Sequence, residues 1–256
     1  MIHPSAIIHE GAQIHETVEI GPFAIVGPHV RIGARTRVGP QAVIDGRTEI
    51  GEDNQIFQSA SIGSIPQHLK YAGEPTELKI GNRNIFREFV TINLGTAQDQ
   101  GITRIGHGNT FMAYCHVAHD CVIADMVILA NGATLAGHVI MESHAILGGL
   151  VGVHQFCRIG CYAMVGGLSG VSQDIPPYTS SAGFRTKLYG LNTIGLKRHG
   201  FSPESISSLK QAYKILFLSN DLFQRAVERV RAEVPGDPHV DHLLDFLLRS
   251  ERGFCR

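Results

Sequence analysis

The groups best suited to moving a proton are concentrated in one short run, Ala113-Tyr114-Cys115-His116-Val117-Ala118-His119-Asp120-Cys121. A histidine titrates near neutrality, at about 6.5 when unperturbed, so His116 or His119 can take a hydroxyl proton as a general base. Asp120 stands next to His119 and can orient its ring. Ala136-Gly137-His138 follows, and then Val153-His154-Gln155-Phe156. A backbone N–H such as that of Gly137 could hold a developing oxyanion. His154 occupies a position that elsewhere in the pattern is usually glycine. Two other readings stand beside general-base catalysis: the histidines ligate a metal, or they form structural ladders of stacked polar rings. The chain has fourteen histidines, and His3, His9, His15 and His29 are read as solvated.

Distant runs can share a cleft only if the backbone returns to them at a fixed interval. The sequence supplies one, with a period of six. Ile8, Ile14, Ile20, Val26, Ile32, Val38, Ile44, Ile50, Ile56 and Ile62 are all Ile or Val, and Ile80, Phe86 and Ile92 keep the frame. After a slip of one residue the series resumes at Ile105 and runs through Phe111, Val117, Ile123, Leu129, Leu135, Met141, Leu147, Val153, Ile159 and Val165 to Val171. Glycine often follows the large residue, as at Gly21, Gly33, Gly39, Gly148 and Gly160, where it would permit positive φ or a tight corner. Two residues before the large position the side chain is usually small, as at Ala24, Ala42, Cys115, Cys121 and Cys157. A period of six is not helical. It fits a short strand plus a corner, three of which close an 18-residue triangular coil, with coils stacked about 4.8 Å apart. The expected fold is mainly β: a parallel β-helix over residues 1–184, followed over 185–256 by a connector and a small α-helical domain.

The count breaks twice. His68 and Glu74 stand where large apolar residues belong, which places an extruded loop near 64–78. The frame slip places a second near 93–104. Pro176-Pro177 ends the beat and Tyr178 to Gly200 reads as connector. Ser202-Pro203 and Asp237-Pro238 are helix starts, an N-cap followed by proline. The stripes Ile206, Leu209, Tyr213, Leu216, Phe217, then Leu222, Phe223, Ala226, Val227, Val230, then Val240, Leu243, Leu244, Leu247 read as internal packing.

A formal net charge of −1 argues against a nucleic-acid binder, and no apolar run reaches the roughly 18 residues of a membrane span. Met1 to His15 has no signal-peptide pattern, so a cytoplasmic location is expected. Of the five cysteines, Cys115, Cys121 and Cys157 share one repeat position, match no zinc spacing and read as small buried thiols.

At five motifs the sequence resembles the UDP-N-acetylglucosamine acyltransferases that start lipid A synthesis. They are Leu69-Lys70-Tyr71-Ala72-Gly73-Glu74-Pro75, His116-Val117-Ala118-His119-Asp120-Cys121, Leu135-Ala136-Gly137-His138-Val139, Val153-His154-Gln155-Phe156-Cys157 and Gly195-Leu196-Lys197-Arg198-His199-Gly200-Phe201. The resemblance covers nearly the whole chain. It implies a left-handed coil, a homotrimer with active sites between subunits, and transfer of a 3-hydroxyacyl chain from acyl carrier protein to the sugar 3-hydroxyl. It implies His119 as base, Asp120 as its orienting partner and the Gly137 N–H as oxyanion donor. Gln67, His68, Lys70, His116, His138, His154 and Gln155 fall among positions that contact sugar, phosphate or acyl donor. Asn192, Arg198 and His199 fall at the nucleotide site, and Gly167 at the position that sets acyl length. No metal or bound cofactor is implied, because the phosphopantetheine arm arrives with the acidic carrier, for which Arg185, Lys187, Lys197 and Arg225 are candidate docking residues.

The chain departs from the family pattern at His68, Asn93, Leu94, Ile194 and His199. These departures leave a 3-amino sugar nucleotide as an alternative acceptor. Zinc-binding hexapeptide proteins of the carbonic-anhydrase type place ligands as His-x4-His, which His116-x2-His119 does not match. A metal-binding or non-catalytic solenoid is the alternative from another class.

Overall fold

The computed structural model describes residues 1–256. Twenty-five short strands, from Ile7–Ile8 to Gly170–Val171, wind into a three-sided prism, and two longer strands follow. Every third strand joins the same sheet, giving faces of nine, eight and ten strands. The coil is a left-handed parallel β-helix, against the usual right-handed preference of parallel crossovers. Register repeats every 18 residues where no loop intervenes: His116 lies beside Thr134, Thr134 beside Gly152, and Gly152 beside Gly170.

The large residues of the six-residue series point inward and stack. Ile44, Ile62, Ile92, Val117 and Leu135 are fully buried in one column, and the rings of Phe86 and Phe111 stack at 4.9 Å in another. Each such side chain contributes about 1.5–3 kcal/mol by leaving water, and only stacked coils provide that burial. Cys115, Cys121 and Cys157 are also fully buried, with free thiols.

Of the two roles expected for glycine after the large residue, positive φ and a tight corner, the second predominates. Of that series only Gly63 has positive φ. The others answer to close approach: a Cβ on Gly33 would sit 2.7 Å from the Gly51 carbonyl carbon, and one on Gly148 would sit 2.4 Å from the Gly167 nitrogen. The left-handed turn comes two residues later, on side-chain-bearing residues such as Arg35, Gln41, Asp120, His138 and Leu150. Each costs on the order of 1 kcal/mol. Backbone bonds to the coil below offset this, as when Gln41 N–H donates to Pro22 O at 3.0 Å and Leu150 N–H to Asn131 O at 2.9 Å.

A polar stack replaces the small residues along part of one edge. Asn54, Asn84 and Asn109 are fully buried. Asn84 donates to Asn54 Oδ1 at 3.0 Å and to Gly106 O at 3.0 Å, and its Oδ1 accepts from the Asn109 backbone and side chain, both at 2.9 Å.

The prolines do not end the winding. Thr179–Ala182 adds a further parallel strand beside Met164–Val165, and Lys187–Leu191 folds back antiparallel to it. Pro177 is tolerated because it lies over Gly160, where any Cβ would meet its ring at 2.5 Å. The connector also holds a short helix, α1 (Thr193–Arg198), which sequence periodicity cannot reveal at this length. Then come α2 (Pro203–Tyr213), a π-helical turn at Lys214–Leu218, α3 (Phe223–Glu233) and α4 (Pro238–Leu248). Ser202 Oγ accepts from Ser205 N–H and Asp237 Oδ1 from His239 N–H, so both caps form as expected. The three stripes bury together, with Leu209, Val230 and Leu243 fully enclosed, except for Leu222, which stands at the N-cap of α3 and faces solvent. The chain end returns to the last coils: Cys255 N–H donates to Asp174 O, and the Arg158 guanidinium lies 4.0 Å over the Phe246 ring. No helix is long and apolar enough to cross a membrane.

Removing the Asn84 amide leaves buried partners on both sides unpaired. Asn84→Ala is expected to lower unfolding free energy by about 2–4 kcal/mol in urea titration. A loss below about 0.5 kcal/mol would show that the stack contributes no net stability.

Candidate functional site

The edge between the nine-strand and eight-strand faces brings the candidate residues together. On successive coils it presents His119, Gly137 and Gln155 in one column and Asp120, His138 and Phe156 in the next. This spacing of 18 follows from the register given above.

His119 Nδ1 lies 2.8 Å from Asp120 Oδ2. The Asp120 side chain is 1% exposed, and its remaining acceptor capacity is filled by the second loop. Thr96 N–H donates to Oδ1 at 2.9 Å and Thr96 Oγ1 donates to Oδ2 at 2.6 Å. Thr103 Oγ1 accepts from the Asp120 N–H at 2.9 Å. A carboxylate surrounded by donors accepts the Nδ1 proton of His119, so the Nε2 lone pair faces outward. Gly137 sits against this ring. A Cβ there would come within 2.5 Å of His119 Cε1 and 2.8 Å of Nε2. The Gly137 N–H has no acceptor within the chain. A base nitrogen and a free backbone donor therefore lie side by side, which is the arrangement for deprotonating a nucleophile and holding an oxyanion.

Neighbouring rings fix this geometry. His138 stacks on Phe156 at 4.3 Å, meets His119 edge-on at 5.0 Å, and its Nδ1 lies 2.8 Å from Asp99 Oδ2. His68, carried in by the first loop, meets His119 edge-on at 5.0 Å, with its Nδ1 buried and unpaired. Gln67 and Lys70 lie exposed on that loop. His116 bonds Thr91 Oγ1 at 2.7 Å, and burial, followed by nearby His119, pulls its pKa below the usual histidine value. It therefore stays neutral to lower pH than a free imidazole.

Beside this edge runs a cleft of about 640 Å³ over the nine-strand face. Its floor shrinks along the stack from His116 and Thr134 to Gly152 and Gly170, with His154 along it and Phe184 and Arg185 at one end. Gly167 is exposed at the neighbouring edge, its α-carbon facing Gly149. A cavity of similar size, about 670 Å³, lies among the first coils between Ile2, Ile20, Val38 and Ile56, away from the dyad.

Asn192, Arg198 and His199 are not brought to this edge. Asn192 caps α1 through Gly195 N–H and donates to Tyr162 O at 3.0 Å. His199 meets Tyr162 and His144 edge-on at 5.1 and 4.9 Å. Tyr162 and His144 belong to the edge between the eight-strand and ten-strand faces. Within one chain the two sets of residues face different directions.

Thr91, Thr96, Asp99 and Thr103 were not found by motif. The one signal was the frame slip, which marks the loop that carries Thr96 and Asp99. His119, Asp120 and His138 offer ligand atoms within 4.8 Å of one another, the geometry a cation would also use. Asp120 is already saturated by Thr96 and His119, which leaves it no lone pair for an ion.

The family model described as "Udp N-acetylglucosamine O-acyltransferase; Domain 2" matches residues 174–255, and "Bacterial transferase hexapeptide (six repeats)" matches 11–46 and 102–137. The chain is similar to acyl-[acyl-carrier-protein]–UDP-N-acetylglucosamine O-acyltransferases. That of Myxococcus xanthus is 54% identical over 211 residues, covering 82% of each chain. That of Herminiimonas arsenicoxydans is 53% identical over 210 residues, covering 80% of each. Among solved structures, the UDP-N-acetylglucosamine O-acyltransferase of Moraxella catarrhalis superposes with a TM-score of 0.97 at 45% identity, covering 100% of this chain and 99% of that one. The enzyme of Bacteroides fragilis gives 0.98 at 43% identity, covering 100% of both.

Gly137→Ala should displace the His119 ring from Asp120 while the coils stay folded. A crystal structure of the variant tests this. A ring still 2.8 Å from the carboxylate would show that the site tolerates the added carbon.

Proposed function

Because the chain belongs to the UDP-N-acetylglucosamine O-acyltransferase family, we propose that it transfers a 3-hydroxyacyl chain from acyl carrier protein to the 3-hydroxyl of UDP-N-acetylglucosamine, the first step of lipid A biosynthesis. The observation that carries the mechanism is the His119–Asp120 pair set against the free Gly137 N–H at the rim of the cleft.

His119 Nε2 takes the proton of the sugar hydroxyl as its oxygen attacks the thioester carbonyl. Asp120 holds the Nδ1 proton and stabilises the imidazolium that forms. The Gly137 N–H receives the tetrahedral oxyanion. Collapse breaks the carbon–sulfur bond, and the departing thiolate of the phosphopantetheine arm takes the proton from His119. No metal or cofactor is assigned to the transfer step.

Gln67, His68, Lys70, His116, His138, His154 and Gln155 are assigned to the sugar, its phosphates and the acyl donor. Asn192, Arg198 and His199 are assigned to the nucleotide of a site completed by a second copy. Two observations support a homotrimer with such shared sites. The nucleotide residues sit on a different edge from His119. A column of exposed apolar corner residues, Phe89, Tyr114, Leu150 and Leu168, runs up the far side of the cleft, the kind of surface that a partner covers. Arg185 at the mouth of the cleft, with Lys187, Lys197 and Arg225, is assigned to docking the acidic carrier. Five unpaired thiols are in keeping with a cytoplasmic location. The glycine floor suits an alkyl chain, and Gly167 is assigned as the stop that sets its length.

His119→Ala is expected to lower turnover by about 10²–10⁴ with the circular dichroism spectrum and oligomeric state unchanged. Near-native turnover would remove His119 from the mechanism. Gly167→Met is expected to shift preference to shorter donors in an assay across hydroxyacyl lengths. An unchanged length profile would place the stop elsewhere. Run with both 3-hydroxy and 3-amino sugar nucleotides, the same assay identifies the acceptor group, and faster turnover of the amino sugar would replace O-acylation by N-acylation.

A further inference from the structure

A second cluster of ligating side chains lies on the opposite side of the eight-strand face, away from the His119 dyad. Glu142 and Cys161 each follow a strand of that face on successive coils, Ile140–Met141 and Arg158–Ile159. His242 projects onto them from α4, one hundred residues after Glu142. His242 Nε2 lies 2.8 Å from Glu142 Oε2, and the same oxygen accepts the Cys161 N–H at 2.8 Å. Ligand atoms from all three residues fall within 4.8 Å of one another. The Tyr178 ring lies edge-on to both His242 and His239, and walls the cluster on its inner side.

We propose that Glu142, Cys161 and His242 bind a zinc ion that ties α4 to the solenoid. The donor set is a thiolate, an imidazole and a carboxylate, all ordinary zinc ligands, reached at about 2.0–2.3 Å. Two anionic ligands neutralise the ion, which matters at a half-buried site. The ligands come from three separate places in the chain, two held in fixed register by the coil and one by a helix. The ion need only widen the Glu142–His242 contact by about half an ångström, within reach of side-chain rotation. A water fills the fourth position. Zinc is favoured over calcium or magnesium, which take oxygen ligands. The remaining cysteines, Cys115, Cys121, Cys157 and Cys255, are buried in the core, so Cys161 is the thiol available to a metal.

The test uses the full-length chain freed of metal, then titrated with Zn(II) against a chromophoric chelator and with Co(II) by absorbance. One equivalent of zinc is expected to resist the chelator and to raise the thermal midpoint. The cobalt form is expected to show a thiolate charge-transfer band and tetrahedral d–d absorption. Cys161→Ser should abolish the band. His242→Ala and Glu142→Gln should each weaken zinc at least about tenfold, while His119→Ala leaves binding unchanged. Failure of the native chain to hold zinc overturns the proposal. So does a band that survives Cys161→Ser, or binding that disappears with His119→Ala, which would move the metal to the transfer site. None of these readouts depends on acyl transfer.

Discussion

Everything in this molecule rests on the contact between one coil and the next. The backbones approach so closely at the corners that several positions admit no Cβ: Gly33 against Gly51, Gly148 against Gly167, Gly160 against Pro177. That closeness lets backbone hydrogen bonds run along all three faces and fixes the repeat at 18 residues. The same closeness at Gly137 opens the space that the His119 ring fills. The geometry of the candidate site and the structural repeat therefore answer to one steric rule, the absence of a side chain where another group must pass.

Burying a carboxylate beside an apolar core carries a desolvation penalty that must be offset locally. Here Asp120 meets the His119 ring, the Thr96 N–H and the Thr96 hydroxyl, so its charge is fully engaged before any substrate arrives. Those partners come from the loop that breaks the six-residue count. The irregular segment is where the regular solenoid gains a polar pocket that a plain coil could not enclose. His138 is held in the same way by Asp99 of that loop and by the Phe156 ring.

Much of this was legible in the sequence. A strict period of six fixes inward and outward positions, so Val117 inward puts His116 on the cleft floor and His119 at the corner. The 18-residue coil then aligns His119 with Gly137 and Gln155. The interruptions at His68 and after Asn93 reported both loops. What periodicity carries poorly is anything set by a single contact. Positive φ and lack of space leave the same glycine in the sequence, and only coordinates separate Gly33 from Gly63. The Asn54–Asn84–Asn109 stack occupies positions that pattern alone reserves for small residues. Strand Thr179–Ala182 was hidden behind two prolines, and Thr96 and Thr103 carry no motif. The distribution of Asn192 and His199 onto a second edge depends on where a six-residue helix docks, which local sequence does not encode.

On the proposed assignment of Asn192, Arg198 and His199, this register divides one site between two edges of the prism, so that it becomes whole only between copies. Mixing two inactive variants tests it directly. Chains carrying His119→Ala are unfolded and refolded together with chains carrying Arg198→Ala in equal amounts, and transfer is measured. If each site draws His119 from one chain and Arg198 from its neighbour, random assembly restores about a quarter of wild-type activity. If both residues serve a site within one chain, the mixture stays as inactive as either variant alone, and the account fails.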